Sequence, residues 1–471
     1  MKGDNIMNRI KILFFLLAVI AFASAPLIVH ASPYQITPTH NTGVITVDTF
    51  GVYNSYNPFD NDTKGDIEIT YFGTLTNNNN SALNNNNGAM LRNLQELTNN
   101  GTLTNSGLLG NFGILNNSGT LTNNTGGELG NLAGLNNDGT LTNSGLLNNF
   151  NYGILNSSGT LTNYGTLTNT GTLTNSGSIT GTGTYIQNAG QTINNGSMSQ
   201  ASVDVQGGTF NQQGGNLTAP SIINNGIFNY SGGSLTGTIQ NNAAGTFTVK
   251  AATPGSTLTI NGDVTNMGTT RVTQTVAVFT GTFTNHGAFI SDPATIQFMK
   301  DVTVGNFGYF QASAGDVYEM YKSFYNGSTQ NILWDTKAAK LSFLGNTLHN
   351  FSLAGNPLTL AYSWGSLSIG ENDSLALSNG GNGSGNALYI RGLISGLDIS
   401  GNTITNIDGN GSYIYYLASA NPDLHGNTYL FEDRGELRPW NGSNPVPIPA
   451  TIWLLGAGLT GLVGVRRKFQ K

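Results

Sequence analysis

Apolar side chains in the middle of this chain recur singly, one per hexad, and each stands between two threonines. The pattern is plainest in Gly159-Thr160-Leu161-Thr162-Asn163-Tyr164, which continues through the hexads opening at Gly165 and Gly171. Earlier copies open at Gly73, Gly101, Gly119 and Gly139, and Gly101 to Leu109 reads almost identically to Gly139 to Leu147. Thr-Leu-Thr is a minimal strand whose Leu points one way and whose Thr side chains point the other. Asn-x-Gly then predicts a tight corner, because Asn and Gly tolerate left-handed backbone. Repetition at this period predicts a solenoid: three strand-and-corner units closing a coil of about 18 to 20 residues, leucines inside. Coils stacked ~4.8 Å apart bring like residues into register, where Asn and Thr can form ladders along the axis. The expectation is an all-β, parallel β-helix (β-solenoid) over residues 73–300.

The grammar loosens after Gly177 without disappearing. Gly208-Thr209-Phe210-Asn211, Gly226-Ile227-Phe228-Asn229, Gly245-Thr246-Phe247-Thr248 and Gly281-Thr282-Phe283-Thr284-Asn285 put Phe near the place of Leu. A wider coil filled by aromatic rings is expected there. Over 301–440 charge returns with Trp334, Trp364 and Trp440, and Phe343-Leu344-Gly345-Asn346 and Leu388-Tyr389-Ile390 still read as short strands. Either irregular coils continue or a β-rich cap closes the array, as repeat stacks require. Residues 32–72 are expected to cap the other end.

Composition sharpens this picture. Only 9% of residues are charged and Gly contributes 64 of the 471. From Gly139 to Val203 there is no Asp, Glu, Lys or Arg. Identical charges stacked coil upon coil would repel at every repeat, which neutral Asn and Thr avoid. The net charge of −6 is thinly spread and gives no nucleic-acid footprint. Cysteine is absent, so disulfide staples, thiol nucleophiles and thiolate metal sites are excluded.

The two ends read as addresses. Lys2, Arg9 and Lys11 precede an apolar run from Ile12 to Ala23, and Val29-His30-Ala31 offers a cleavage site before Ser32. Residues 1–31 are therefore expected to be a secretory signal peptide. Residues 441–471 hold Val446-Pro447-Ile448-Pro449-Ala450, an apolar run from Thr451 to Val465, and Arg466-Arg467-Lys468. Prolines keep the approach extended, the apolar run suits a short membrane helix, and the basic cluster holds its end at the cytoplasmic face. This order resembles the PEP-CTERM tail in its Val-Pro-Leu-Pro-Ala-like variant, with Ile448 where the name-giving motif carries Glu. The resemblance implies an exosortase as processing partner, transient insertion of a C-terminal hydrophobic helix in the inner membrane, and final placement at the cell surface or extracellular matrix of a Gram-negative bacterium. Ser412-Tyr413-Ile414-Tyr415-Tyr416 looks like the β-structured segment that precedes such tails. The hexads themselves resemble the β-helical repeats of large bacterial adhesins and autotransporter passengers, and that resemblance alone implies a right-handed coil.

A search for chemistry returns little. Gly-x-Ser-x-Gly, phosphate-loop and His-Glu-x-x-His patterns are absent. His40, His286, His349 and His425 are widely spaced and expected in surface or turn roles. Glu96, Glu128, Asp138, Asp204, Asp263 and Asp292 are isolated, whereas a carbohydrate-active enzyme needs clustered acids. Asp60 to Asp66 superficially resembles a calcium loop, but Lys64 and Tyr71 stand where ligands belong, so a polar turn is expected. Paired outward threonines can order water or bind ice; against this, Thr is the ordinary outward strand residue and Asn-rich faces were expected to interrupt the array. No catalytic, cofactor-binding or metal residue is assigned, and the candidate functional residues are the sorting motif at 446–450 and 466–468. The expected function is an exported structural or adhesive surface protein associated with exopolysaccharide or biofilm. The competing class is a β-helix polysaccharide lyase or hydrolase.

Overall fold

The computed structural model describes residues 27–28, 40–47, 52–55, 58–355, 357–380 and 386–443. The chain is 57% strand and winds as a parallel β-solenoid of about 19 turns, with no α-helix among the described residues. The signal segment 1–31, apart from Leu27–Ile28, and the sorting tail from residue 444 with its hydrophobic helix lie outside those residues. No described helix is long and apolar enough to cross a membrane. The chain divides into two compact units, 1–302 and 303–471.

In the first unit each coil carries three short strands, exemplified by Thr102–Asn105, Leu108–Asn111 and Ile114–Asn117. We call the surfaces they stack into the first, second and third faces. Registers are uninterrupted through the hexads: Leu103, Leu121, Leu141 and Leu161 pair in sequence on the first face. Leu109, Leu129, Leu147 and Leu167 do so on the second. All of these leucines are fully buried. The stack starts upstream of Gly73: within the stretch expected as a cap, Phe59–Asn61 pairs with Ala82–Asn85 and Val44–Val47 with Asp66–Ile69. Leu27–Ile28, inside the expected signal segment, pairs with Val44–Val47.

The corner asparagines depart from expectation. The sequence suggests left-handed corners, yet none of the hexad Asn at 105, 123, 143 or 163 has a positive φ, and all are fully buried. Because the strand period is two, the residue two beyond Leu points inward with it. Each inward amide then hydrogen-bonds to its counterpart one coil on. On the first face the amides of Asn41, Asn61, Asn85, Asn105, Asn123, Asn143 and Asn163 form one line, each Nδ2 donating to the next Oδ1 at 2.7–2.8 Å. The second face repeats this from Asn93 through Asn111, Asn131 and Asn149 to Asn169, and the third from Asn77 through Asn99 and Asn117 to Asn137. The same amide nitrogens also donate to the carbonyl of the residue that opens the next strand one coil on, as Asn99 does to Thr120 at 3.0 Å. Buried backbone acceptors need such partners, so the Asn side chain extends the sheet around the bend.

Ladders stop where the letter changes. Gly181 stands in the Asn position after Asn163, and Gln200, reaching from 37 residues on, accepts from Asn163 instead at 2.8 Å. Asn169 ends on Gln187, whose Oε1 also accepts from Tyr185 at 2.5 Å. On the third face Asn137 donates to Ser157 Oγ at 3.3 Å, and the buried Asn175 Oδ1 beyond it has no donor. Ser157→Asn is expected to splice the two runs and to raise stability by about 1–2 kcal/mol, the value of a hydrogen bond plus relief of an orphaned acceptor. An upward shift in urea midpoint with unchanged slope checks it.

Glycine is fixed by crowding rather than by handedness. A Cβ on Gly119, Gly139 or Gly159 would overlap the carbonyl oxygen of the glycine one coil before, and none of these three has a positive φ. Further along, Phe210, Phe228 and Phe247 do replace Leu: Phe210 stacks on Phe228 with centroids 5.1 Å apart, and Phe247 meets Phe228 at a tilt, 5.6 Å away. Coil length is unchanged where the rings begin, the Asn194–Gln212 and Asn211–Asn229 bonds spanning 18 residues, and grows further on, where Asn241–Asn266 spans 25. Smaller inward residues such as Val203, Val205 and Ala219 leave the space.

The second unit keeps parallel coils but loses the hexad. Leu348–Leu353 pairs with Ser374–Asn379, and Thr336–Phe343 with Trp364–Ile369 across a register shift. Phe310, Trp334, Trp364, Phe324 and Phe351 fill its interior. Its last pairings include two antiparallel ones, Ile399–Ser400 with Thr403–Ile404 and Tyr429–Phe431 with Gly435–Trp440. Residues 301–440 thus combine both expected alternatives, irregular coils followed by mixed pairing.

Candidate functional site: the outer faces of the coils

With Leu and Asn both turned inward, the outer surface of the first unit consists of the two remaining positions of each strand. The three faces differ in what they show. Outward positions of the third face run Glu96/Thr98, Ile114/Asn116, Gly134/Asn136, Ile154/Asn156 and Thr172/Thr174. A second, surface amide ladder forms there, Asn136 donating to Asn116 at 2.9 Å and Asn156 to Asn136 at 3.1 Å. Ile114 and Ile154 stand beside it about half exposed. The second face is mixed, with Leu108, Glu128, Leu146 and Thr166 in one column. The first face carries hydroxyls almost alone: Thr102/Thr104, Thr120/Thr122, Thr140/Thr142, Thr160/Thr162, Ser178/Thr180 and Ser197/Ser199.

The isolated acids stay apart from one another and take neutral partners. Asp263 accepts from the Thr282 N–H and hydroxyl at 2.8 and 2.9 Å, Asp138 from the Ser158 hydroxyl, and Asp204 from Gln206 at 2.8 Å. The segment Asp60 to Asp66 runs from one strand through a turn into the next, with Lys64 at positive φ. His40 lies 2.9 Å from Asp62 and 3.6 Å from Asp60. Hydrogen bonds from Asn86 and then His40 hold the Asp62 carboxyl below its usual range. Asp66 instead turns to Arg92, which also meets Glu68 at 2.9 Å. Burial pushes the Asp66 carboxyl up, and the Arg92 charge opposes that shift. Among the described residues no group of three or more His, Asp or Glu is placed to hold a metal ion.

One histidine reading is corrected in the second unit. His349 is not a surface or turn residue: its side chain is fully buried. Nδ1 faces the Lys322 carbonyl at 2.9 Å, and Nε2 faces Asp373 Oδ1 at 2.9 Å. Asp373 also accepts from the Thr347 N–H at 2.8 Å. Both ring nitrogens therefore face oxygen atoms inside the core. Burial of both groups keeps substrate away and makes this a structural clamp.

The same unit carries a second outward feature that the repeat pattern did not reveal. Tyr415 stacks on Tyr389 with centroids 4.6 Å apart, Arg438 lies 4.5 Å over the Tyr413 ring, and Arg391 lies 5.9 Å over Trp440. Glu436 binds Arg438 at 2.5 Å and its hydrogen bond is the main cause that raises the guanidinium further. Alternation along Ser412–Leu417 sends Tyr413 and Tyr415 outward together while Ile414 and Tyr416 are buried. Planar rings and fixed guanidinium groups of this kind suit sugar rings and their carboxylates. The sorting motif Val446, Pro447, Ile448, Pro449, Ala450, Arg466, Arg467 and Lys468 lies outside the described residues. No family model, no curated protein and no solved structure matches this chain.

Proposed function

We propose that this protein is an exported structural or adhesive component of the cell surface or extracellular matrix, delivered by an exosortase-type system and associated with exopolysaccharide. The observation that carries the reading is the repetition of neutral outward groups at one-coil spacing over the hexad coils of the first unit. Such a surface binds by many weak, equivalent contacts, so avidity accumulates with length without any single deep site. The ring-and-arginine patch at Tyr413, Tyr415, Arg438 and Trp440 supplies a chemically distinct contact for sugar chains. Export rests on the 1–31 segment and sorting on the 446–450 and 466–468 motif, with the exosortase as partner implied by resemblance.

Fractionation of cells making the chain with and without its last 27 residues (445–471), in the presence and absence of an exosortase, tests the proposal. Tail-dependent and exosortase-dependent release to the surface or matrix is the expected result. An unchanged distribution and mass would reduce the tail to an anchor. A second reading, a carbohydrate-active enzyme, would have to rest on Asp66 and Glu68, the two carboxylates gathered on Arg92. Asp66→Asn and Glu68→Gln, assayed on acidic polysaccharides, should show no cleavage to lose; measurable cleavage that these variants abolish would replace the adhesive reading.

A further inference from the structure

The first face differs from the others in a way that strand propensity does not explain. If threonine were there only as a good strand former, the second and third faces would share it, since their strands have the same length and burial pattern. They carry Thr only in places, at Thr74/Thr76, Thr98, Thr166/Thr168 and Thr172/Thr174, and show Ile, Leu, Gly, Glu and Asn in the coils between. On the first face the outward pairs are Thr/Thr in four successive coils from Thr102/Thr104 to Thr160/Thr162, then Ser178/Thr180 and Ser197/Ser199. Asn216/Thr218 and Ser234/Thr236 extend the two columns in unbroken register. No charged group enters either column over this span.

The asparagines that were expected to interrupt the array do not, because they face the core. Their ladders also bear on its flatness: sheets over many strands normally twist, and side-chain ladders are among the devices that hold them flat. The face carries a grid of hydroxyl and methyl groups, about 4.8 Å apart between coils and about 6.6 Å apart along each strand. Threonine's branched side chain is stiff at χ1, so the grid is ordered before any ligand arrives. Each hydroxyl offers one donor and two acceptor positions, the valence of a lattice water, while the methyl groups leave shallow hollows. A flexible sugar chain has no need of a two-dimensional grid. A crystalline water surface, whose oxygens repeat in two dimensions, does.

We infer that the first face is an ice-binding surface, with Thr102, Thr104, Thr120, Thr122, Thr140 and Thr142 at its centre. This inference claims the first face for ice and leaves the third-face amide ladder and the ring-and-arginine patch to the adhesive reading, so it survives the failure of that reading. The test is ice recrystallisation by the full chain, together with adsorption of the fluorescently labelled chain to a single ice crystal. The unaltered protein is expected to arrest grain growth and to coat the crystal. Thr122→Tyr with Thr142→Tyr, which plants rings in the grid, is expected to abolish both at the same concentration. Thr168→Tyr with Thr174→Tyr, on the second and third faces, is expected to leave both intact. If the tyrosines disturb folding, as read by circular dichroism, Thr120→Lys with Thr140→Lys in the more exposed column gives the same readout. An inactive wild type, or first-face variants that keep full activity, would overturn the inference. So would first-face variants that lose retention on a neutral polysaccharide column while wild-type ice growth is unaffected, which would make the grid a glycan surface.

Discussion

Asn123→Ala is expected to destabilise the first unit by about 3–6 kcal/mol, although it removes only a small polar group. Asn123 is fully buried. Its Oδ1 accepts from Asn105 at 2.7 Å, and its Nδ2 donates to Asn143 at 2.8 Å and to the Leu146 carbonyl at 3.0 Å. Alanine leaves a donor and two acceptors stranded where no water is close, at about 1–3 kcal/mol apiece, partly offset by relaxation. Thr122→Ala next to it, pointing outward, should change stability by no more than about 0.5 kcal/mol. Long repeat arrays need not unfold in one step, so the global midpoint is an incomplete readout. Amide hydrogen exchange is the sharper one: protection should collapse across the coils holding Asn105, Asn123 and Asn143 and persist in distant coils. Unchanged protection there would mean that the amide ladder contributes nothing beyond the sheet itself.

Asp373→Ala should unfold the second unit or come close to it, at a cost of about 3–5 kcal/mol, as expected when one partner of a buried pair is removed. The substitution leaves the His349 ring sealed against the Phe343 ring, at 5.2 Å, with Nε2 facing nothing. It also frees the Thr347 N–H. Asp373→Asn keeps an oxygen for both donors and should recover more than half of the loss. Thermal unfolding followed through the buried Trp334 and Trp364 reports on this unit. The order wild type, Asn, Ala in melting temperature is the expected result, and equal melting of the Asn and Ala variants would remove the clamp from the account.

The architecture was legible because one signal, an apolar residue once per hexad, is the physical cause of both the strand and the coil. Leu103, Leu121, Leu141 and Leu161 are buried for the reason the pattern suggests. The partner residue Asn was misplaced because a polar amide beside a glycine reads as a surface corner. Only the neighbouring coil, 18 or 20 residues away, supplies the acceptor that lets it go inside. Differences among the faces were hidden for a related reason. Every hexad reads alike along the chain, and whether a Thr-Leu-Thr falls on the first or third face depends on the exact length of each coil. His349 and Asp373 were unreadable because their 24-residue separation belongs to the irregular coils of the second unit, where no repeat announces which residues meet.

The rungs of the three buried asparagine ladders all run the same way, the earlier coil donating and the later one accepting, opposite to the surface ladder of Asn116, Asn136 and Asn156. A freshly wound coil therefore exposes a row of N–H groups on its forward rim, already spaced for the next segment's oxygens. Its rearward rim exposes the oxygens of the same rows. The amide rows are polar along the axis in consequence, unlike the backbone, which offers donors and acceptors at both rims. Between two stacks, these rows would match head to tail and would set donor against donor or acceptor against acceptor where identical rims met.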